Sequence, residues 1–330
     1  MHWLQQHWYR ITPLHLILLP LSLIFRLLAG IRRTLYRSGI LASERLPVPV
    51  IVVGNINVGG SGKTPLTLWL AQQLLDNGWH PGIISRGHGG AAISTQAVYY
   101  SSDPAIVGDE ALLMAQRKLC PVWIGHDRPA AARELLRVHP ECDVILSDDG
   151  LQHYRLQRDV EIAVVDGIRR FGNGLLLPAG PLREPPSRLT EVDAVVVNGG
   201  AIAEGECRMQ LHGECFYNLL NPDTSAQVTD FHGLRLHAIA GIGHPERFFA
   251  HLNDMGLAVQ THPFPDHHRY TTGDITYADA DAILMTEKDA VKCSTFATEK
   301  CWVLRVDAQL DPILTQHILE RIAPYGRQAA

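Results

Sequence analysis

Two hydrophobic patterns alternate along most of the chain. Short uninterrupted apolar runs rich in β-branched residues give way to segments in which apolar positions recur at helical spacing. The first pattern suits a strand buried on both faces, the second a helix packed by one side. "PVPVIVVGN" (47–55), "PGIISRG" (81–87), "PVWIG" (121–125), "CDVILSDDG" (142–150), "VEIAVVDG" (160–167) and "EVDAVVVNGG" (191–200) predict strands. "TPLTLWLAQQLLDNG" (64–78), "GDEALLMAQRKL" (108–119) and "RPAAARELLRVHP" (128–140) predict the intervening helices. Such alternation implies a parallel sheet sandwiched by helices. A polar, less regular stretch around 201–230 separates it from a second run, with strands at 236–243, 281–286 and 302–306 and a helix at 245–256. The expected organisation is an N-terminal segment over 1–40, an α/β core over 41–225 and a smaller α/β domain over 226–330.

The most apolar stretch is "ITPLHLILLPLSLIFRLLAGI" (11–31). Arg10 and Arg26 bracket its uncharged part, which falls short of the roughly 20 residues that span a bilayer. Pro13 and Pro20 are expected to interrupt it. Wound at helical spacing after Pro20, Leu21, Ile24, Leu28, Ile31 and Leu35 share one face, with Arg26, Arg33 and Arg37 nearly opposite. A basic face opposite an apolar one predicts an amphipathic helix lying in the membrane interface. Packing on the protein's own core, or a true span, are the alternatives. The segment is a poor signal peptide, because "RLLAGIRRTLYRSG" continues helically without a small-residue cleavage site.

Composition narrows the choice of partners. The 330 residues are 46% hydrophobic and 19% charged, with a net charge of -5, which fits a globular protein and argues against a nucleic-acid partner. Six cysteines without a C-x-x-C pair read as reduced thiols rather than a zinc site or disulfide framework.

"GNINVGGSGKTP" (54–65) lies between a predicted buried strand and a predicted helix, the context a phosphate-binding loop requires. Asn57 stands where the first glycine of G-x-x-x-x-G-K-[ST] belongs, and asparagine tolerates left-handed geometry better than other side chains. Asn57, Val58, Gly59, Gly60, Ser61, Gly62, Lys63 and Thr64 would form the cradle. The glycines let backbone N–H groups turn toward phosphate oxygens at a helix N-terminus. Lys63 would reach the β- and γ-phosphates, and Thr64 would offer its hydroxyl to Mg²⁺. Asp148 and Asp149 end an apolar strand, where the acids that hold Mg²⁺ are expected. No [NT]-K-x-D segment for guanine is present, since "TEKD" (286–289) has the wrong order, so ATP is the expected nucleotide. The core is thus of the P-loop type.

Taken in order, "GNINVGGSGKTP", "SRGHGG", "VGDEALL", "DDGLQHYRLQRDVEI", "LLPAGPLREP", "AGIGHPERFF", "FPDHHRY" and "LMTEKDAVK" closely resemble the tetraacyldisaccharide 4'-kinase family, from about residue 13 to 322. The resemblance implies transfer of the ATP γ-phosphate, with Mg²⁺, to the 4'-hydroxyl of a tetraacylated glucosamine disaccharide 1-phosphate in lipid A biosynthesis. The reaction would take place on the cytoplasmic face of the inner membrane. It also implies roles for particular residues. Asp109 in G-D-E matches the catalytic aspartate and His267 in F-P-D-H its partner. Arg86, His153, Arg183 and Glu184 match positions that contact substrate or phosphate or position their neighbours. His88 departs from the tyrosine expected in S-R-G-Y, which puts an aromatic contact there in doubt. Asp109 as a plain helix cap, and a nucleotide-driven switch or membrane adaptor in place of a kinase, are the competing readings.

Overall fold

The computed structural model describes residues 8–9 and 12–326. Its first helix, α1 (Leu14–Arg37), runs straight through Pro20, contrary to the expected interruption. Proline removes only the N–H that would meet the Leu16 carbonyl, and Leu16 is on the exposed side. The helix is long and apolar enough to cross a membrane, with mean hydropathy 1.6 over its most apolar window. Leu21, Ile24, Leu28 and Ile31 are exposed, together with Leu16, Ile17, Leu23 and Leu27. His15 and Ser22 are buried against the body. The basic face is partly used internally, since Arg33 and Arg37 both pair with Glu191. Arg10 lies outside the described residues.

The main sheet has nine strands. In chain order they are β1 (Val50–Gly54), β2 (Pro81–Ser85), β3 (Gln96–Val98), β4 (Val122–Ile124), β5 (Val144–Asp148), β6 (Val160–Asp166), β7 (Ala194–Asn198), β8 (Glu206–His212) and, far downstream, β15 (Asp307–Leu310). Their spatial order is β15-β8-β7-β6-β1-β5-β2-β4-β3. The seven inner strands are parallel and only the edges, β15 and β3, run antiparallel. Alternate β1 side chains enter two different cores. Ile51 and Val53 pack with α2 (Lys63–Asp76), α4 (Asp109–Gln116) and α8 (Pro312–Ile322). Val50 and Val52 pack with α5 (Arg128–Val138). A four-residue helix, α3 (Pro104–Val107), leads into α4.

The second sheet has six strands in the order β10-β9-β14-β13-β11-β12. These are β9 (Cys215–Asn218), β10 (Ser225–Gln227), β11 (Leu236–Ala240), β12 (Val259–Pro263), β13 (Ala282–Thr286) and β14 (Cys301–Leu304). Helices α6 (Pro245–Asp254) and α7 (Glu287–Cys293) cover its opposite faces. The stretch 201–230, expected to be irregular, contains β8, β9 and β10; β8 and β10 are partly exposed and carry several polar residues, and β9 is only four residues long. Strand membership also divides the chain differently from the boundary expected at 225. The second sheet begins at Cys215, and residues from Asp307 onward return to the first. Two adjacent connections therefore join the sheets, with a Cβ at Gly213 only 2.6 Å from the Arg305 carbonyl. Arg117, just past the end of α4, braces this crossing by binding Asp307, Glu287 and the Val306 carbonyl.

Candidate active site

The phosphate loop grows directly out of β1. Gly62 caps α2 with φ 96°, and no side chain caps the helix, so its first N–H groups stay free for an anion. A Cβ at Gly62 would lie 2.6 Å from Asn198 and 2.8 Å from Met209, whereas one at Gly60 would meet nothing. Asn55 holds the turn from inside through Gly59 O (3.2 Å) and Ser61 Oγ (3.1 Å). Arg169 donates to the Gly60 carbonyl at 2.8 Å. Asn57 is not left-handed. It bridges to Leu182 and its amide donates to Arg170 O at 2.6 Å, so it serves as an anchor rather than a hinge. Val58 N–H donates to Pro181 O, and Arg183 N–H to Ile56 O. The segment 176–184 is thus a strap across the loop's first half, and α1 sits on it. Ser22 Oγ donates to Leu176 O and accepts from Ala179 N–H.

Parallel pairing sets Asp148 opposite Val53, at the mouth of the loop. Its carboxyl is buried and, among the described residues, makes only long hydrogen-bond contacts, with Thr67 (3.5 Å) and Ser85 (3.4 Å). Burial first, then the Glu110 carboxylate, push it up to about 7. Asp149 has φ 48° and faces Lys63 (3.5 Å) and Arg183 (3.2 Å). Burial opposes its charge, yet Lys63 and Arg183 hold it well below the usual carboxylate range. Arg128, which the sequence reading passed over, is fully buried and donates to the Asp148 carbonyl at 2.7 Å. Its Nε and Nη1 have no partner, and burial brings its guanidinium down to about 10.

The second constellation draws on both sheets. Asp109 opens α4 behind Gly108 (φ 88°), and its Oδ2 lies 3.3 Å from Nδ1 of His267. His267 has φ 60°, a strained geometry for a side chain of this size, in the loop after β12. His88 sets its ring edge-on to His267 at 5.7 Å between centroids. Its pKa is lowered by burial and then by His267. Lys288 of α7 reaches Asp266 (3.3 Å), Glu110 (3.4 Å) and Nε2 of His267 (3.5 Å). The two constellations are neighbours. A Cβ at Gly243, in the loop after β11, would lie 3.9 Å from the Gly60 nitrogen and 3.7 Å from Asp266.

The remaining residues singled out from sequence separate. Arg183 joins the site through Asp149 and Gln152. Glu184 is buried and holds Tyr154 and Arg188, which makes it a support for its neighbours. His153 is brought down to about 3, by burial and then by Arg128 and Arg86, so it is neutral at ordinary pH. Arg86 is exposed, with no ion pair among the described residues, and its charge also bears on His88 and Arg128. No cluster of three or more His, Cys, Asp or Glu able to hold a metal is present among the described residues.

Residues 14–323 match the family profile described as tetraacyldisaccharide-1-P 4'-kinase. The tetraacyldisaccharide 4'-kinase of Methylobacillus flagellatus is 53% identical over 97% of this chain and 96% of its own length. That of Azoarcus sp. strain BH72 is 52% identical over 98% and 96%. A crystal structure of LpxK from Aquifex aeolicus, described as an apo form in complex with ATP, superposes with a TM-score of 0.79. It is 30% identical and covers 94% of this chain and 99% of that one. The chain belongs to the tetraacyldisaccharide-1-P 4'-kinase family.

Proposed function

We propose that the protein transfers the γ-phosphate of ATP to the 4'-hydroxyl of a tetraacylated glucosamine disaccharide 1-phosphate, at the cytoplasmic face of the inner membrane. Backbone N–H groups of 57–64 and the open end of α2 receive the phosphates, and Lys63 exchanges Asp149 for phosphate oxygens. Arg128, buried with two unpartnered nitrogens, adds fixed positive charge beside them. Thr64, Asp148 and Asp149 are the residues that would hold magnesium. One hydroxyl and a pair of carboxylates are the donor set this ion takes when phosphates and water complete its shell. When bound, the ion neutralises charge between the β- and γ-phosphates.

The acceptor hydroxyl must lose its proton as the bond to phosphorus forms, and a positioned base is required. Asp109 takes that proton and His267 orients it. The observation that carries this reading is the 3.3 Å contact between Asp109 and His267, made from two different sheets beside the phosphate loop. The second domain closes over the substrate and excludes water. The exposed leucines and isoleucines of α1 seat the enzyme in the acyl boundary where its lipid substrate lies.

Incubation with γ-labelled ATP, with and without detergent-solubilised acyl disaccharide, tests the proposal. Label moves to the disaccharide, and Lys63→Ala abolishes the transfer. Phosphate release that ignores the acceptor would mark a nucleotide-driven switch instead.

A further inference from the structure

"TEKD" (286–289) is the one sequence motif that the nucleotide site leaves unexplained. Its threonine and aspartate are structural. Thr286 caps α7 by accepting from Asp289 N–H, and the buried Asp289 carboxylate accepts from Gly241 N–H at 3.1 Å. Lys288 is different. It projects from the first turn of α7 into the contact between the sheets, where its ammonium meets Asp266, Glu110 and His267 Nε2. Burial alone would discharge it, but Glu110 and Asp266 raise its pKa instead, so it stays an ammonium with three N–H donors and no acceptor.

That fact constrains the histidine. A neutral imidazole carries one N–H and one lone pair, and the hydrogen bond at one nitrogen decides which nitrogen holds the proton. We infer that Lys288 is a positioning residue for phosphoryl transfer, locking His267 in the Nδ1–H tautomer that donates to Asp109. With an ammonium 3.5 Å from Nε2, that nitrogen must offer its lone pair, and the single proton sits on Nδ1. There it faces Oδ2 of Asp109 at 3.3 Å, which leaves Oδ1 free to receive the acceptor's proton. The other neighbours do not compete. Oδ1 of Asp266 lies 3.9 Å from Nε2, beyond hydrogen-bond reach. His88 meets the ring edge-on. The Nε2–H tautomer would point donor at donor.

The inference rests on the reading of Asp109 and His267 as a pair, and the test separates the two. The full-length protein is labelled with ¹⁵N-histidine. Because the chain has 17 histidines, the His267 signals are identified by their loss in His267→Asn. The wild type shows a protonated Nδ1 and a bare Nε2. Lys288→Met gives the Nε2–H form or a mixture, lowers kcat about 10–100-fold, as loss of an orienting partner does, and leaves the KM for ATP unchanged. Lys288→Arg, which keeps a cationic donor, restores the tautomer and part of kcat. Thermal melts and nucleotide binding show that each variant is folded. An Nε2–H signal in the wild type, or a tautomer indifferent to Lys288→Met, overturns the inference. Unchanged turnover in His267→Ala overturns the pair itself while the tautomer result stands.

Discussion

The proposed site has two ends, one for phosphate and one for the acceptor, each built around a lysine among carboxylates, and they are assembled in opposite ways. At the phosphate end, Lys63 opens α2, and Asp149 and Arg183 come from loops that follow the main sheet's strands. At the acceptor end, Asp109 and Glu110 belong to the main sheet's domain, while Asp266, His267 and Lys288 come from the second. The first is set by strand pairing and a single turn, so its residues come together within the main sheet's own elements. The second exists only while the two domains meet. Nucleotide binding should therefore survive damage that destroys transfer, and the reverse should not occur.

The largest effect is expected at the phosphate end. Lys63→Ala should lower kcat/KM by at least about 10³-fold, the scale of a lost charge-stabilising group, and should also remove thermal stabilisation by ATP. Retained ATP stabilisation in a dead Lys63→Ala enzyme would mean that the backbone cradle alone supplies affinity. Asp109→Asn comes next. It should cost about 10²–10⁴ in kcat, the usual worth of a general base, with ATP affinity unchanged in a binding titration. Weakened ATP binding there would join the two ends and undo the distinction.

Asp166, at the end of β6, offers an intermediate test because it links the second sheet's α6 to the phosphate end. It accepts from Arg247 of α6 at 2.8 Å and binds Arg169, which in turn holds the Gly60 carbonyl. Burial opposes its charge, but Arg247 and the loop N–H groups bring it down to about 2. A carboxyl depressed in the fold contributes stability above its unfolded pKa of about 3.9 and loses it as pH falls toward 2. Asp166→Asn should thus cost about 1–2 kcal/mol at pH 7 and almost nothing near pH 2, measured by denaturant melts across that range. The KM for ATP should rise several-fold, because the loop and the covering domain are both loosened. A stability loss that does not depend on pH would show that packing, not charge, holds this latch.

The contrast also explains what could be read from sequence. The strands, α2 and the loop at 57–64 are encoded by neighbours in the chain, through apolar runs, glycines and a helix start. Asp148 and Asp149 follow from their place at a strand end. Lys288 sits in a motif dismissed for the wrong order of letters, and its meaning depends on Glu110 and His267, remote in sequence and visible only in three dimensions. Arg128 looks like an ordinary first-turn arginine until β5 packs above it. The strands of 201–230 are hard to read because they are short or carry polar side chains on their partly exposed faces, and Asn57 does not use the backbone freedom that asparagine offers.

The smallest effect tests how local the phosphate end really is. The strap at 176–184 pins residues 56–58 of the loop, and Ser22 of α1 satisfies two of its backbone groups, Leu176 O and Ala179 N–H. Ser22→Ala leaves Ala179 N–H unpaired in a buried position, while Leu176 O keeps Gly180 N–H, which should cost about 1–2 kcal/mol in a thermal or denaturant melt. If the strap only shields the loop, ATP KM and kcat stay within about twofold of wild type, a shift of less than about 0.5 kcal/mol. If instead α1 sets the loop's shape, ATP KM rises with the loss of stability, and detergent or lipid that grips α1 moves it too. The first outcome is expected, because Asn55, Arg169 and Asn198 hold the loop's second half independently. The second would make α1 part of the nucleotide site.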